Sequence, residues 1–401
     1  MTRRWNYGAA DMTNLATTPA RALETFSSVV DMIRAQLPRD PVFCIYPKRL
    51  ANLARKFISG FHGDVLYAVK VNPEPPVLRA LHAGGVKHFD IASMAELELI
   101  RGLFPESECH FMAPIRMLGA TGEAYRQGVR HFAVDHTDEL ELLTRLVKDP
   151  ASTTLLMRII TPSQGAMFEL SSKFGTTPEA AADLANRATA AGFRTGLTFH
   201  VGSQCMDPQA YRRALTIVQG ALGLLTMPPA TLDVGGGFPA PYPGLAVPEL
   251  ETFLDTIHTF VNELSLPPTC KLAAEPGRAL VAEGVSLVAQ VVHRRAHRLY
   301  LNDGVYGSLM EPKFPSSAVH YPTIAYRANG NDVAILDRTA EEFTLYGPTC
   351  DAYDVLPQPY RLPEDIAPGD WIEFGMIGAY ASAMRTHFNG FYPNSFVEIV
   401  D

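Results

Sequence analysis

Along the first two thirds of the chain, short apolar runs alternate with longer stretches whose apolar residues recur every three or four positions. The short runs predict strands over 64–69 (DVLYAV), 87–91 (KHFDI), 109–113 (CHFMA) and 130–134 (RHFAV). Four more follow over 154–160 (TLLMRII), 196–201 (GLTFHV), 230–234 (ATLDV) and 271–275 (KLAAE). The intervening stretches, such as PPVLRALHAGG, MAELELIRGLF and TPEAAADLANRATAAG, predict helices. Several of them open on a cap residue or proline and close on glycine. Strands alternating with helices imply βαβ units and a parallel sheet. Eight units most economically close into a (β/α)8 barrel of about 250 residues, here residues 38–281. A doubly wound open sheet is the alternative on pattern alone.

After residue 281 the texture changes. GVSLVAQVVHRRAHRLYLNDGVYG, DVAILD, EEFTLYGP and DWIEFGMIGAY alternate apolar and polar positions, with Asn-Gly and Asp-Gly turn signals between them. That pattern predicts a C-terminal antiparallel β domain over 282–401, which the N-terminal segment 1–37 is expected to join.

Composition narrows the function classes. The 401 residues are 47% hydrophobic and 19% charged, a globular balance with room for two domains. A net charge of -8 argues against a nucleic-acid binder, which would carry a basic face. The five cysteines, at 44, 109, 205, 270 and 350, have no CxxC pairing and suggest neither a disulfide framework nor a zinc site. The first 20 residues lack the apolar core of a secretory signal, and no apolar run reaches the roughly 20 residues needed to span a bilayer. The expectation is a soluble, reduced, cytoplasmic protein without a metal, a nucleic-acid partner or a membrane.

A barrel gathers its chemistry at the C-terminal ends of its strands. Lys70 follows strand 1 in LYAVKVNPEP, where it is either an ordinary solvated strand end or an amine aimed into a site. Asp90 lies at the end of strand 2 and Arg158 in strand 5. FHVGSQ places His200 and Ser203 at the end of strand 6, and DVGGGFP puts Gly235, Gly236 and Gly237 just after strand 7. EPGR ends strand 8 with Glu275 and carries Arg278 three residues on. One shared site explains all of these strand ends. A partly desolvated lysine can condense with a carbonyl. A carboxylate can hold a pyridine nitrogen protonated, and His200 can stack on the ring. Glycines let backbone N–H groups approach a phosphate, and Arg278 can clamp it. Taken singly, the glycine run is as common in flexible loops, and a lone histidine is more often a core residue. Together these groups describe a site for pyridoxal 5′-phosphate (PLP).

The chain resembles the fold-type III PLP-dependent decarboxylases of the ornithine/lysine branch over nearly its whole length. YAVKVNPEP, FDIASMAE, HVGSQ, GGGFP and EPGRALVAEG carry the broad likeness. SSKFG, NDGVYGS, GPTCDAYD and FNGF point to the ornithine/lysine side. The resemblance implies that Lys70 carries PLP, with Glu275 at the pyridine nitrogen and His200 on the ring. It implies that Ser203, Gly235, Gly236, Gly237, Arg278 and Tyr380 hold the phosphate, with Asp90 and Arg158 as further cofactor contacts. It also implies a homodimer whose active sites are shared across the interface. There Cys350 would control protonation of the carbon left by CO2, and Asp351 would take the distal ammonium of a small amino acid substrate. Phe388 of FNGF joins the substrate contacts, and Lys173 and Asp354 match a pair that meets across the interface.

One motif departs from the family. After NDGVYGS, ornithine members usually continue to a Tyr-Asp pair that helps bind the distal ammonium. Here the position holds Phe314-Pro315, and Glu311 is the nearest acid. The reading is therefore a diamino acid decarboxylase acting on L-ornithine or L-lysine. Its alternatives are a decarboxylase of another or modified amino acid, a diaminopimelate-type enzyme, an amino acid racemase, or a homologue without activity. The retained Lys70 and Cys350 speak against the last, and a cysteine where racemases carry tyrosine speaks against the racemase.

Overall fold

The computed structural model describes residues 22–170 and 172–400. Most of the expected N-terminal segment, residues 1–21, lies outside them. Eight parallel strands run in chain order around a barrel: β1 (Asp64–Ala68), β2 (His88–Ile91), β3 (Glu108–Phe111), β4 (His131–Val134), β5 (Thr154–Ile159), β6 (Arg194–Phe199), β7 (Thr231–Asp233) and β8 (Lys271–Ala274). Pairing of Ala273 with Asp64 and of Ala274 with Val65 closes the ring, which excludes the open sheet.

Strand alternation divides each strand between two environments. Phe89, Ile91, Phe111, Phe132, Leu155 and Leu197 are fully buried against the helices outside the ring. A side chain of that size contributes roughly 1.5–3 kcal/mol when it leaves water. The alternate positions face inward and are largely polar, including Asp90, His110, Thr198 and Asp233, all at most 6% exposed. Local signals fix the turns beneath the site. In FDIASMAE, Ser93 caps the helix Met94–Leu103 by accepting the Glu96 N–H at 3.2 Å. The Glu96 carboxylate in turn accepts the Ala92 N–H at 2.6 Å. This S-x-x-E arrangement fixes the turn directly after Asp90.

The second sheet has ten strands and is mixed rather than purely antiparallel. Val285–Arg295 is its spine, pairing with Val42–Ile45, Arg298–Leu301 and Trp371–Phe374 in antiparallel fashion. Val42–Ile45 runs parallel to Ser395–Ile399, which in turn runs parallel to Thr25–Phe26. Arg298–Leu301 runs parallel to Ala340–Tyr346. Val42–Ile45 therefore lies in this sheet and not in the barrel, although the sequence pattern starts the barrel at residue 38. The Asn-Gly signal at 329–330 makes the hairpin between Thr323–Asn329 and Asp332–Ile335, with Gly330 at φ +61°. No described helix is long and apolar enough to cross a membrane.

Candidate active site

The two sheets meet at the C-terminal mouth of the barrel. Lys70 sits on a 3-10 turn, Val69–Val71, just beyond β1. Asn72 pins that turn: its amide donates to the Gly378 carbonyl at 2.8 Å, and its backbone carbonyl accepts the Tyr67 hydroxyl at 3.0 Å. Arg385, from the connection between Trp371–Phe374 and Ser395–Ile399, donates to Glu74 at 2.9 Å and ties the two parts together.

Lys70 Nζ donates to Asp90 Oδ2 at 2.9 Å. Its side chain is 46% exposed while that of Asp90 is 2% exposed, so the amine faces the open mouth and its partner lies in the floor. The surrounding walls partly desolvate the ammonium, but Asp90 and then Glu275 outweigh that and raise the Lys70 pKa. Glu275 follows β8 directly. Burial first, then the neighbouring Asp233 and Asp90, hold its pKa well above the carboxylate range, and its Oε1 has no partner. Asp233 ends β7 and accepts the Gly235 N–H at 2.8 Å. Burial pushes its pKa up to about 6.

His200 ends β6 and its Nδ1 accepts the Gly202 N–H at 3.0 Å. Burial, then Arg158 and Lys70, keep the imidazole neutral. Beside it run Gly235, Gly236 and Gly237, with φ +66° at the first and +107° at the third. A Cβ on Gly236 would stand 2.9 Å from His200 Nε2 and 2.6 Å from the Glu275 carbonyl. The glycine lets the Glu275 carbonyl and His200 approach this turn more closely than any side chain would allow.

Arg278 lies 3% exposed at the far side. It donates to Tyr242 at 2.9 Å and reaches Ser203 Oγ at 3.4 Å. Its guanidinium covers the Tyr380 ring at 5.1 Å, and its Nε is buried without a partner. Tyr380 holds a left-handed backbone (φ +65°) and donates its N–H to Val71 at 2.8 Å. Lys70, Asp90, His200, Ser203, the glycines, Glu275, Arg278 and Tyr380 thus surround one mouth, with Arg158 reaching it from β5.

One expectation needs correction. Glu311, a candidate for a substrate ammonium, is 2% exposed and both its oxygens accept from Arg278. Its charge is spent inside the wall. Asp354, expected to meet Lys173 of another copy, is also 2% exposed. It accepts from Val305 N at 2.9 Å and from Thr349 N and Oγ1 at 3.0 and 2.6 Å. Within the chain Lys173 lies 5.0 Å over the Phe174 ring, and its pairing with Asp354 of a second copy stays an expectation.

Cys350, Asp351 and Phe388 form a second group. Cys350 is exposed; its N–H donates to Asn389 Oδ1 at 3.2 Å and its Sγ lies 3.3 Å from the same oxygen. Asp351 accepts the Tyr306 hydroxyl, which lowers its pKa, and the Tyr306 ring packs on Phe388 at 4.5 Å. Among the described residues, no hydrogen bond or ion pair joins this group to the Lys70 group. Tyr306 and Asn389 were not singled out from sequence, although NDGVYGS and FNGF contain them. Asp233 and Tyr242 were also missed; the Asp that opens DVGGG was the available signal.

Residues 47–282 match the family model described as pyridoxal-dependent decarboxylase, pyridoxal binding domain. The decarboxylase flvG of Aspergillus flavus is 31% identical over 345 residues, covering 81% of this chain and 77% of its own. The lysine/ornithine decarboxylase of Selenomonas ruminantium is 32% identical over 338 residues, covering 82% and 81%. The crystal structure of the Paramecium bursaria Chlorella virus arginine decarboxylase bound to agmatine matches with a TM-score of 0.80 at 26% identity. It covers 92% of this chain and 98% of that one.

Proposed function

Because the chain belongs to the pyridoxal-dependent decarboxylase family, we propose that it releases CO2 from a basic diamino acid, L-ornithine or L-lysine, leaving a diamine. The observation that carries the reading is the set of open polar groups around Lys70. Glu275 Oε1 and Arg278 Nε are buried without partners, and the cradle at Gly236 would be filled by a single Cβ. PLP fits that set. Lys70 would hold its aldehyde carbon, Glu275 its pyridine nitrogen and His200 the face of its ring. The glycines, Ser203, Arg278 and Tyr380 would hold its phosphate. Once bound, PLP supplies the electron sink for the pair left behind by CO2.

The chain's own residues supply positions and protons. Asp90 holds the Lys70 amine and takes up its charge. Glu275, with its raised pKa, keeps a proton available at the pyridine nitrogen. Neutral His200 packs on the ring without adding charge. Asp351, oriented by the Tyr306 hydroxyl, binds the distal ammonium, and the Cys350 thiol returns a proton to the carbon that lost CO2.

Cys350 and Asp351 serve the Lys70 site of a second copy in this reading, which makes the protein a homodimer. What supports this is that no hydrogen bond or ion pair among the described residues joins them to the Lys70 group, and that Tyr353 and Phe388, which flank them, are 51% and 40% exposed. The five free cysteines accord with a cytoplasmic enzyme.

One observation favours a second reading, in which the substrate is another or a modified amino acid. Glu311 is locked to Arg278, and the neighbouring Phe314 turns an apolar edge to Phe168 at 6.1 Å. Of the two acids considered for a distal ammonium, Asp351 then stands alone. Both readings are tested by CO2 release from the PLP-loaded protein with L and D forms of ornithine, lysine, arginine, diaminobutyrate and diaminopimelate. Turnover of L-ornithine or L-lysine above the others supports the first. Silence on both, with a Lys70-dependent cofactor absorbance intact, overturns it in favour of the second.

A further inference from the structure

The opposite, N-terminal mouth of the barrel carries a cluster that the decarboxylation reading does not use. His88 opens β2, Glu108 opens β3 and His110 follows two residues later. Register sets His88 beside Glu108, and His110 beside His131 of β4. His88 lies one inward position before Asp90 on β2, and register sets His110 beside Asp90 itself, so the cluster runs from the strand starts up to the floor beneath Lys70.

One ligand atom from each of His88, Glu108 and His110 lies within 4.8 Å of the others. Glu108 Oε2 is 3.5 Å from His88 Nδ1 and 3.7 Å from His110 Nε2. These separations exceed a hydrogen bond. They match the edge of a ligand tetrahedron, about 3.4 Å for metal bonds of 2.0–2.1 Å. Both nitrogens are buried without a hydrogen-bond partner, and the His110 side chain is only 8% exposed. A buried polar atom without a partner is costly, and here two of them converge on one carboxylate. Glu108 is 60% exposed and leaves an entry path and an open position.

The surroundings fit as well. Asp64 Oδ1 stands 3.6 Å from His88 Nε2, an ion-pair distance rather than a hydrogen bond. The His131 ring stacks on His110 at 4.1 Å and 11°, buttressing it. Two cations stand near: Lys271, 3.8 Å from Asp64, and Arg194, close enough to lower the His131 pKa.

We propose that His88, Glu108 and His110 bind one divalent transition-metal ion of the zinc class, clipping β2 to β3 at the N-terminal mouth of the barrel. Two imidazoles and one carboxylate suit zinc, cobalt or nickel and do not suit calcium or magnesium. The ligands join β2 to β3 below the level of Lys70, so the ion's role is structural.

The test is a Co2+ titration of the untagged, PLP-loaded protein, read by the visible ligand-field bands and by bound metal per chain. The proposal expects one Co2+ per chain, displaced by Zn2+ and absent in His110→Gln. Glu108→Gln, an exposed position that leaves packing intact, should weaken binding at least tenfold. His258→Gln, in the separate His62–His258 stack, should bind as wild type. Zn2+ should raise the melting temperature of the wild type and leave that of Glu108→Gln unchanged. No bands at stoichiometric Co2+, or equal binding by wild type and Glu108→Gln, would overturn the site.

Discussion

Arg278 and Glu311 face each other inside the wall of the active-site mouth as a two-bond ion pair, each side chain 3% exposed. The pair joins the short helix after β8 to the 3-10 turn Glu311–Lys313 of the second sheet's domain. Removing one partner of a buried pair strands the other charge, at a cost of about 3–5 kcal/mol. Glu311→Ala should therefore lower the unfolding free energy of the cofactor-free protein by about that amount. Glu311→Gln, which still accepts one hydrogen bond, should cost less. Denaturant unfolding measures both; a Glu311→Ala loss under about 1 kcal/mol would contradict the pairing.

The tight fit at Gly236 makes a second prediction. A methyl group there would stand 2.9 Å from His200 Nε2 and 2.6 Å from the Glu275 carbonyl. Overpacking of this kind costs about 1–3 kcal/mol, and Gly236→Ala should weaken PLP binding about 5- to 150-fold. Because the closer clash is with the Glu275 backbone, circular dichroism first checks that the variant keeps its fold. Fluorescence titration with PLP reads the affinity, and unchanged binding would remove the cradle from the account.

Asp233 sets a pH dependence. Its pKa rises from 3.8 to about 6 in the fold, chiefly through burial. Between those values the folded chain holds a proton that the unfolded chain has released, so stability falls as pH rises through the window. Asp233→Asn removes the titration. The cofactor-free variant should gain stability relative to wild type as pH rises from 4 to 6, then hold that difference to pH 7. Parallel urea melts at each pH measure it; a difference that is flat across the window would contradict the assignment.

The strands of the barrel were legible because their outward faces are continuous apolar runs such as Phe89, Ile91 and Phe132. Val42–Ile45 looks alike locally, but its partners are Val285–Val288 and Ser395–Glu398. A pairing across 240 residues and more leaves no local mark. Lys70, Asp90, His200 and Glu275 were readable as polar residues at strand ends. Glu311 misled because its partner Arg278 lies 33 residues away, and nothing in EPGR or LMEPKF records the contact. His88, His110 and His131 each read as an isolated histidine beside phenylalanine, and only the strand register brings them together. Asp233 went unremarked for a similar reason: its neighbour Glu275 belongs to the next strand.

The account rests most heavily on one site built from two chains. Lys70→Ala and Cys350→Ala subunits, co-expressed and purified through a different tag on each, would form dimers holding one intact site and one doubly damaged site. With the diamino acid that the wild type turns over, each variant alone should be nearly silent. The mixed dimer should release CO2 at about half the wild-type rate per dimer, as two-fold symmetry requires. A mixed dimer as silent as either parent would show that Lys70 and Cys350 serve the same chain's site, and would contradict the account.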